Sequence, residues 1–290
     1  MRFLKEFFSR IAADIHALSA WEWGASSYGN IMVPSRPSEG DLKNYERVID
    51  AAIDNSNRVV VLGTTPQIRN MLAGFNGEIM IADFSQKMYR VTESRVTSAV
   101  LAKENFIRAN WLHLSSIVPR GSVDLVVGDL VFNNIHPEAR DKFVNMIGSL
   151  LKPGGIFLTR VKLHNSRWHS ADPIDIVKLC LRSMPAGSLY SPFMIYRLGD
   201  KILDGNNFSF RSRDFEPLLR AALAVAVDST EHAHILRSIW NYKNIDMTRS
   251  FYPKSFFESL VEKQFKLENA LIANDYEESE FFPIYQLQKK

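Results

Sequence analysis

Between residues 57 and 163, short runs of consecutive apolar residues alternate with stretches in which apolar residues recur at helical spacing. Such runs predict strands that are buried on both faces of a parallel sheet, and the intervening stretches predict the helices that cover it. The predicted strands are Val59–Leu62, Ile79–Ile81, Phe106–Ile107, Val123–Val127 and Ile156–Thr159. This alternation predicts a doubly wound α/β fold.

The pattern divides the chain into three parts. An amphipathic helix over residues 3–18 and a second helix from Ser38 form an N-terminal cap segment, residues 1–56. Residues 164–249 lack the alternation and show helical patterns beginning at Asp172, Asp214 and Glu231, which predict a helical insertion or lid. The alternation returns in residues 250–290, which complete the α/β domain of residues 57–163 with a helix and two strands. The helices predicted in these two parts are Pro66–Leu72, Gln86–Tyr89, Pro137–Leu151 and Pro253–Glu262, and the last strands are Phe265–Ala273 and Phe282–Leu287.

Composition excludes several classes of protein. The 290 residues carry 35 Lys and Arg against 32 Asp and Glu, a net charge of +3 without a basic stripe, so no nucleic-acid partner is expected. The longest apolar run, Ala221–Val227, is far shorter than the ~20 residues of a membrane helix, and charges interrupt the apolar N-terminus. We expect a cytoplasmic protein without membrane contact. His232 and His234 point apart on a predicted helix, so no metal site is expected.

Polar residues follow the predicted strands at the edge of the sheet where open α/β folds bind ligands. Gly63, Thr64, Thr65 and Pro66 follow the first strand, with Thr65 suited to cap the next helix and Pro66 to its first position. This turn is not a dinucleotide fingerprint, which would need glycines in place of Thr65 and Ile68. On its own, this turn is more typical of a purely structural connection between strand and helix than of a ligand site.

Further strand ends carry candidate ligand groups. Asp83 lies 20 residues after Gly63, where a carboxylate can accept hydrogen bonds from ribose hydroxyls, or else cap the following helix. Asn110 and Trp111 follow the third strand and offer an amide and an aromatic wall. After the fourth strand comes the segment 129–134, which begins with an aspartate and ends with two asparagines.

Five segments in this order resemble the class I S-adenosylmethionine-dependent methyltransferases: VVVLGTTPQ, IADFS, ANWLHL, VDLVVGDLVFNNI and LLKPGGIFLTR. The resemblance covers residues 57–162 and implies a seven-stranded sheet whose last strand is antiparallel, with S-adenosylmethionine as cofactor. The chain departs from the family where Thr65 and Gln67 replace the second and third glycines of the first segment.

The resemblance also implies the cofactor contacts. The loop Gly63–Pro66 would face the methionine portion, and Asp83 would hold the ribose hydroxyls. Phe84 would flank the adenine, with Asn110 and Trp111 at its edge. Asp129, followed by Leu130, would lie near the methionine amino group.

The acceptor is expected between the sheet and its two covers, the N-terminal segment and the insertion. Trp21, Tyr28, Asn133 and Trp168 are candidate contacts with it, although these aromatic side chains could equally fill the core. An acceptor hydroxyl benefits from a general base. His136, after the fourth strand, and His164, after the fifth, are the candidates, each with a surface or capping role as the alternative.

Three functions therefore remain open. The favoured one is methyl transfer to a small-molecule acceptor, most readily to oxygen. The second is methylation of nucleic acid or protein, and the third is a non-catalytic ligand-binding or partner subunit that keeps the fold. The sequence leaves a homodimer open.

Overall fold

A computed structural model of the chain describes residues 22, 25, 28–54, 57–183, 192–225 and 247–290. The helices predicted over residues 3–18 and from Glu231, the two histidines near it, and the side chain of Trp21 lie outside these residues.

The central element is a seven-stranded sheet with the order β3-β2-β1-β4-β5-β9-β8. Strands β1 to β5 run parallel, and β9 pairs antiparallel with both β5 and β8, which confirms the predicted fold class. A separate pair, β6 and β7, is antiparallel. The strands are β1 (Arg58–Leu62), β2 (Glu78–Asp83), β3 (Glu104–Arg108), β4 (Val123–Asp129), β5 (Leu151–Arg160), β6 (Ser209–Arg211), β7 (Thr248–Ser250), β8 (Phe265–Leu271) and β9 (Ile284–Lys289).

Helices cover both faces of the sheet. The first has a capping box, in which Ser38 and Asp41 each bond the other's backbone N–H. Residues 137–139, predicted as the start of a long helix, form a separate 3₁₀ turn instead. The helices are α1 (Glu39–Ala52), α2 (Pro66–Met71), α3 (Gln86–Glu93), α4 (Ser98–Leu101), α5 (Arg140–Leu150), α6 (Pro173–Arg182), α7 (Pro192–Ile202), α8 (Glu216–Val225) and α9 (Lys254–Glu262).

Alternate residues of the strands supply two cores. In β1, Val60 and Leu62 belong to the cluster on one face of the sheet, whereas Val59 and Val61 belong to the cluster on the other. A third cluster lies within residues 168–251, in the part of the chain predicted as an insertion. The insertion is not wholly helical, because β6 and β7 are three-residue strands, too short for the apolar pattern to reveal.

The carboxyl end of β5 carries a fully buried arginine, Arg160. Its Nε and Nη2 donate to the two carboxylate oxygens of Asp129 at 2.7 and 2.9 Å, and Nη1 lies 2.5 Å from Oδ2 of Asp41. Nη2 also donates to the carbonyl of Pro34 at 2.9 Å, and the backbone N–H donates to the hydroxyl of Tyr45 at 2.9 Å. One side chain thus joins β4, β5, α1 and the segment before α1.

Replacing Arg160 should destabilise the fold strongly. Arg160→Ala leaves two buried carboxylates without their cation, and we expect a loss of about 3–5 kcal/mol in the free energy of unfolding. The control is Arg58→Ala, which removes the half-exposed ion pair with Glu78 and should cost no more than ~1 kcal/mol. Urea unfolding of both variants measures the difference. Equal losses would contradict a central role for Arg160.

Candidate functional site

The ends of β1, β2 and β3 bring three predicted residues together. Gly63 has a φ of +84°, and a Cβ built there would lie 3.9 Å from Oδ2 of Asp83 and 3.8 Å from Cζ2 of Trp111. The indole N–H of Trp111 donates to the carbonyl of Ala82 at 2.8 Å, which fixes the ring beside the strand end. A glycine suits this position, because L residues are strained at such a φ and a side chain would narrow the space between Asp83 and Trp111.

The turn after β1 has the predicted form with one difference. Pro66 is the first residue of α2, and Thr65 stands at the N-cap position. The predicted N-cap position of Thr65 is therefore confirmed, but its side chain makes no capping hydrogen bond. Thr64 is buried beneath the turn. The first N–H groups of α2 therefore lack a side-chain cap.

Asp83 does not cap α3, because the hydroxyl of Ser85 does so by accepting from the N–H of Met88 at 3.0 Å. Oδ1 of Asp83 accepts from the N–H of Ser85 at 2.7 Å, and no positively charged side chain of the described residues pairs with the carboxylate. Burial raises the pKa of Asp83 to about 7, against the lowering effect of the Ser85 and Phe84 backbone, and Glu22 adds to the increase. This is a strand-end carboxylate without a cation.

The predicted adenine-side residues lie around the same edge. Asn110 accepts from the N–H of Leu112 at 3.0 Å and so caps the 3₁₀ turn that carries Trp111. Phe84 directly follows β2, half-buried, and its carbonyl accepts from Nε of Arg108 at 3.4 Å. Together these contacts hold the loops after β2 and β3 in place.

The end of β4 is tied to Arg160. Besides its two bonds to the guanidinium, Asp129 lies 3.3 Å from the hydroxyl of Tyr45. Burial raises the pKa of Asp129, although the guanidinium acts in the opposite direction. Leu130 has a φ of 54°, a left-handed conformation that costs an L residue roughly 1–2 kcal/mol. Its N–H donates to the carbonyl of Arg160 at 3.0 Å, which compensates part of that strain.

Two residues predicted to contact the acceptor form hydrogen bonds within the protein. Nδ2 of Asn133 donates to the carbonyls of Lys162 and Ser250 at 2.9 and 2.6 Å, and Oδ1 accepts from the N–H of Lys162 at 2.8 Å. Trp168 is 4% exposed in the core of the insertion, where its N–H lies 3.2 Å from the carboxylate of Glu278. Both side chains are therefore occupied within the protein. Tyr28, by contrast, lines a cavity beside α2.

The two candidate bases differ in their surroundings. The side chain of His136 is 57% exposed and contacts Glu138, and partial burial together with Arg211 and Arg140 lowers its pKa. His164 is 19% exposed, and its Nδ1 lies 3.0 Å from Oδ1 of the fully buried Asp200. A carboxylate at Nδ1 favours the tautomer that leaves Nε2 free to accept a proton.

Asp200 forms a buried polar centre at the end of β5. Its carboxylate also accepts from Nζ of Lys162 at 2.8 Å and from the N–H of Asn165 at 3.0 Å. Sequence reasoning missed Asp200, which lies in α7, 36 residues beyond His164. It missed Arg160 too, although this arginine ends the fifth segment of the resemblance. No pattern in the sequence signals either pairing.

The described residues contain no group of three or more His, Cys, Asp or Glu side chains arranged to hold a metal ion. No helix among them is long and apolar enough to cross a membrane.

Comparison with known proteins gives a family for the central domain. Residues 60–155 match the model of a family described as a methyltransferase domain. No curated protein matches the sequence.

Solved structures share the fold. A Rhodobacter sphaeroides protein provisionally named a Zn-dependent alcohol dehydrogenase is 18% identical over 95% of this chain and 98% of its own, with a TM-score of 0.60. A Burkholderia thailandensis 1,6-didemethyltoxoflavin N1-methyltransferase, solved with that compound and S-adenosylhomocysteine, is 9% identical over 97% and 90%, with a TM-score of 0.52. A Listeria monocytogenes protein provisionally named an S-adenosylmethionine-dependent methyltransferase is 11% identical over 87% and 100%, with a TM-score of 0.50. At these identities the likeness shows the fold alone.

The raised pKa of Asp83 should make the stability of the protein depend on pH. The folded-state pKa of about 7 exceeds the ordinary unfolded value, so the folded state holds the proton more tightly. Stability contributed by this group should fall as pH rises from about 4 to about 7 and then level off. Asp83→Asn should lack that fall, whereas the exposed Asp50→Asn should keep it. Urea unfolding across this range checks the result, and identical profiles for wild type and Asp83→Asn would refute it.

Proposed function

We propose that the chain is a class I S-adenosylmethionine-dependent methyltransferase that transfers the methyl group to a hydroxyl of a small-molecule acceptor. The match of residues 60–155 to a methyltransferase domain supports this enzyme class and S-adenosylmethionine as the cofactor. The observation that carries the proposal is the half-buried carboxylate of Asp83, which has no cationic partner among the described residues and lies beside Gly63 and Trp111.

The residues at this edge fit the cofactor. Asp83 can accept hydrogen bonds from both ribose hydroxyls, and Gly63 leaves room for close approach of the backbone. The ring of Trp111, held by Ala82, offers an aromatic wall for the adenine. The carboxylates of Asp129 and Asp41 pair with one guanidinium, that of Arg160, so this group of three side chains carries an excess negative charge. Such a charge favours a cationic ligand nearby.

When bound, S-adenosylmethionine supplies an activated methyl group on a positively charged sulfur. The protein's own contribution is then to align the acceptor, exclude water and remove a proton. The contact between His164 and Asp200 supports His164 as the general base, with Nε2 taking the acceptor proton. Asp200 acts as a positioning residue, because it orients the imidazole through Nδ1.

Two observations support a small acceptor. The net charge of +3 lacks the clustered basic residues that nucleic-acid partners require. Glu22, from the N-terminal part of the chain, contacts the loop after β2, because its side chain accepts from the hydroxyl of Ser85 at 2.8 Å, two residues after Asp83. The Burkholderia enzyme offers a precedent on this fold, with 1,6-didemethyltoxoflavin bound.

Removing the Asp83 carboxylate should weaken cofactor binding. Asp83→Ala loses charged hydrogen bonds worth about 1.5–3 kcal/mol, so the Kd for S-adenosylhomocysteine should rise roughly 10- to 150-fold. The exposed Asp50→Ala is the control and should bind like wild type. Calorimetric titration measures each Kd. An unchanged Kd in Asp83→Ala would remove Asp83 from the site.

Alanine variants of His164 and His136 should differ in turnover, measured with an acceptor selected from a panel of hydroxylated compounds. His164→Ala should lose roughly 10²–10⁴ in turnover while still binding S-adenosylhomocysteine. Asp200→Asn should lose less turnover than His164→Ala and should shift the pH profile of kcat, as expected of a positioning residue. His136→Ala is the matched control and should stay near wild type. Full activity of His164→Ala would show that another group, or alignment alone, serves the reaction.

A further inference from the structure

A cavity of about 120 Å³ opens beside the first turn of α2, next to the loop that begins at Gly63. Part of its wall comes from the N-terminal part of the chain, and part comes from α2 and the residues after α3. The polar and charged side chains in this wall are those of Tyr28, Arg36, Gln67, Asn70 and Arg95.

The two arginines of this cavity carry no counter-charge. Both side chains are exposed, and within the described part of the chain neither guanidinium forms an ion pair or a hydrogen bond. Arg95 lies over the ring of Tyr28, 5.8 Å from its centroid. By contrast, Arg69 of the same helix forms a buried ion pair with Glu104. The cavity therefore faces two free cations.

A third group marks the cavity as a binding site rather than a solvent gap. Oε1 of Gln67 is buried and has no hydrogen-bond partner among the described residues, so a bound hydroxyl, amine or water could donate to it. Tyr28 adds a hydroxyl and an aromatic face. Two guanidinium groups can hold a carboxylate or phosphate through several charge-assisted hydrogen bonds, while Gln67 accepts from a neighbouring donor.

We propose that this cavity binds a carboxylate or phosphate group of the methyl acceptor, so that the acceptor is a small organic anion. The assignment rests on the proposed function, because it takes Gly63, Asp83 and Trp111 as the place of the nucleoside. Tyr28 and Arg36 belong to the N-terminal part of the chain, where the acceptor is expected. The carboxylate of the cofactor's methionine portion has the same chemistry and is the competing source of the anion.

The first experiment tests the site itself with inorganic phosphate as the probe. The double variant Arg36→Gln/Arg95→Gln is compared with wild type and with Arg120→Gln, an exposed arginine before β4 at the opposite edge of the sheet. Phosphate should raise the Tm of wild type and of Arg120→Gln more than that of the double variant, because a ligand stabilises only the form that binds it. Equal shifts in all three proteins would overturn the site.

The second experiment separates the two sources of the anion. The Kd of S-adenosylhomocysteine should be the same in wild type and the double variant, and so should that of 5′-methylthioadenosine, which lacks the carboxylate. A rise of about tenfold or more for S-adenosylhomocysteine alone would assign the arginines to the cofactor and overturn the proposal.

With the acceptor from the panel, the double variant should raise KM about 10- to 100-fold with little change in kcat. An unchanged KM would overturn the assignment to the acceptor. If wild type bound neither nucleoside, the proposed function would fail, whereas the phosphate experiment would still report on the cavity.

Discussion

The buried guanidinium of Arg160 is the constraint on which the edge of this sheet depends. A cation in the protein interior must be paired, and here its partners come from β4, from α1 and from the segment before α1. Asp129 is held at the end of β4 in this way, and Leu130 is held in a left-handed conformation beside it. The strand ends that line the ligand edge are therefore fixed relative to one another before any ligand arrives.

Within this frame the structure separates two kinds of polar residue. Asn133 donates to the backbone carbonyls of Lys162 and Ser250, and Trp168 donates to the carboxylate of Glu278. These bonds connect the predicted insertion to the sheet. Asp83 and His164 keep a free atom: an oxygen without a cation in one case, and an imidazole nitrogen in the other. Groups left with such capacity at the carboxyl edge of a sheet are the ones available to a ligand.

The sequence predicted the sheet well, because strands buried on both faces are apolar at every position and need no partner to be recognised. Asp83 was predictable for a related reason, since its place follows from the end of β2 alone. The pairing of His164 with Asp200 was not predictable, because it joins the segment after β5 to α7 across 36 residues. The role of Asn133 also escaped, because an amide at a strand end looks the same whether it serves a ligand or three backbone groups. At the turn after β1, the sequence predicted that Thr65 stands at the N-cap position. It did not predict that the Thr65 side chain makes no capping hydrogen bond.

The measurement that tests the account most directly is a crystal structure of the full chain grown with S-adenosylhomocysteine. The account predicts the nucleoside over Gly63, with the ribose hydroxyls on the Asp83 carboxylate and the adenine against Trp111. Density for the ligand away from these three residues would contradict the cofactor site. A protein that takes up no S-adenosylhomocysteine at all would contradict it as well.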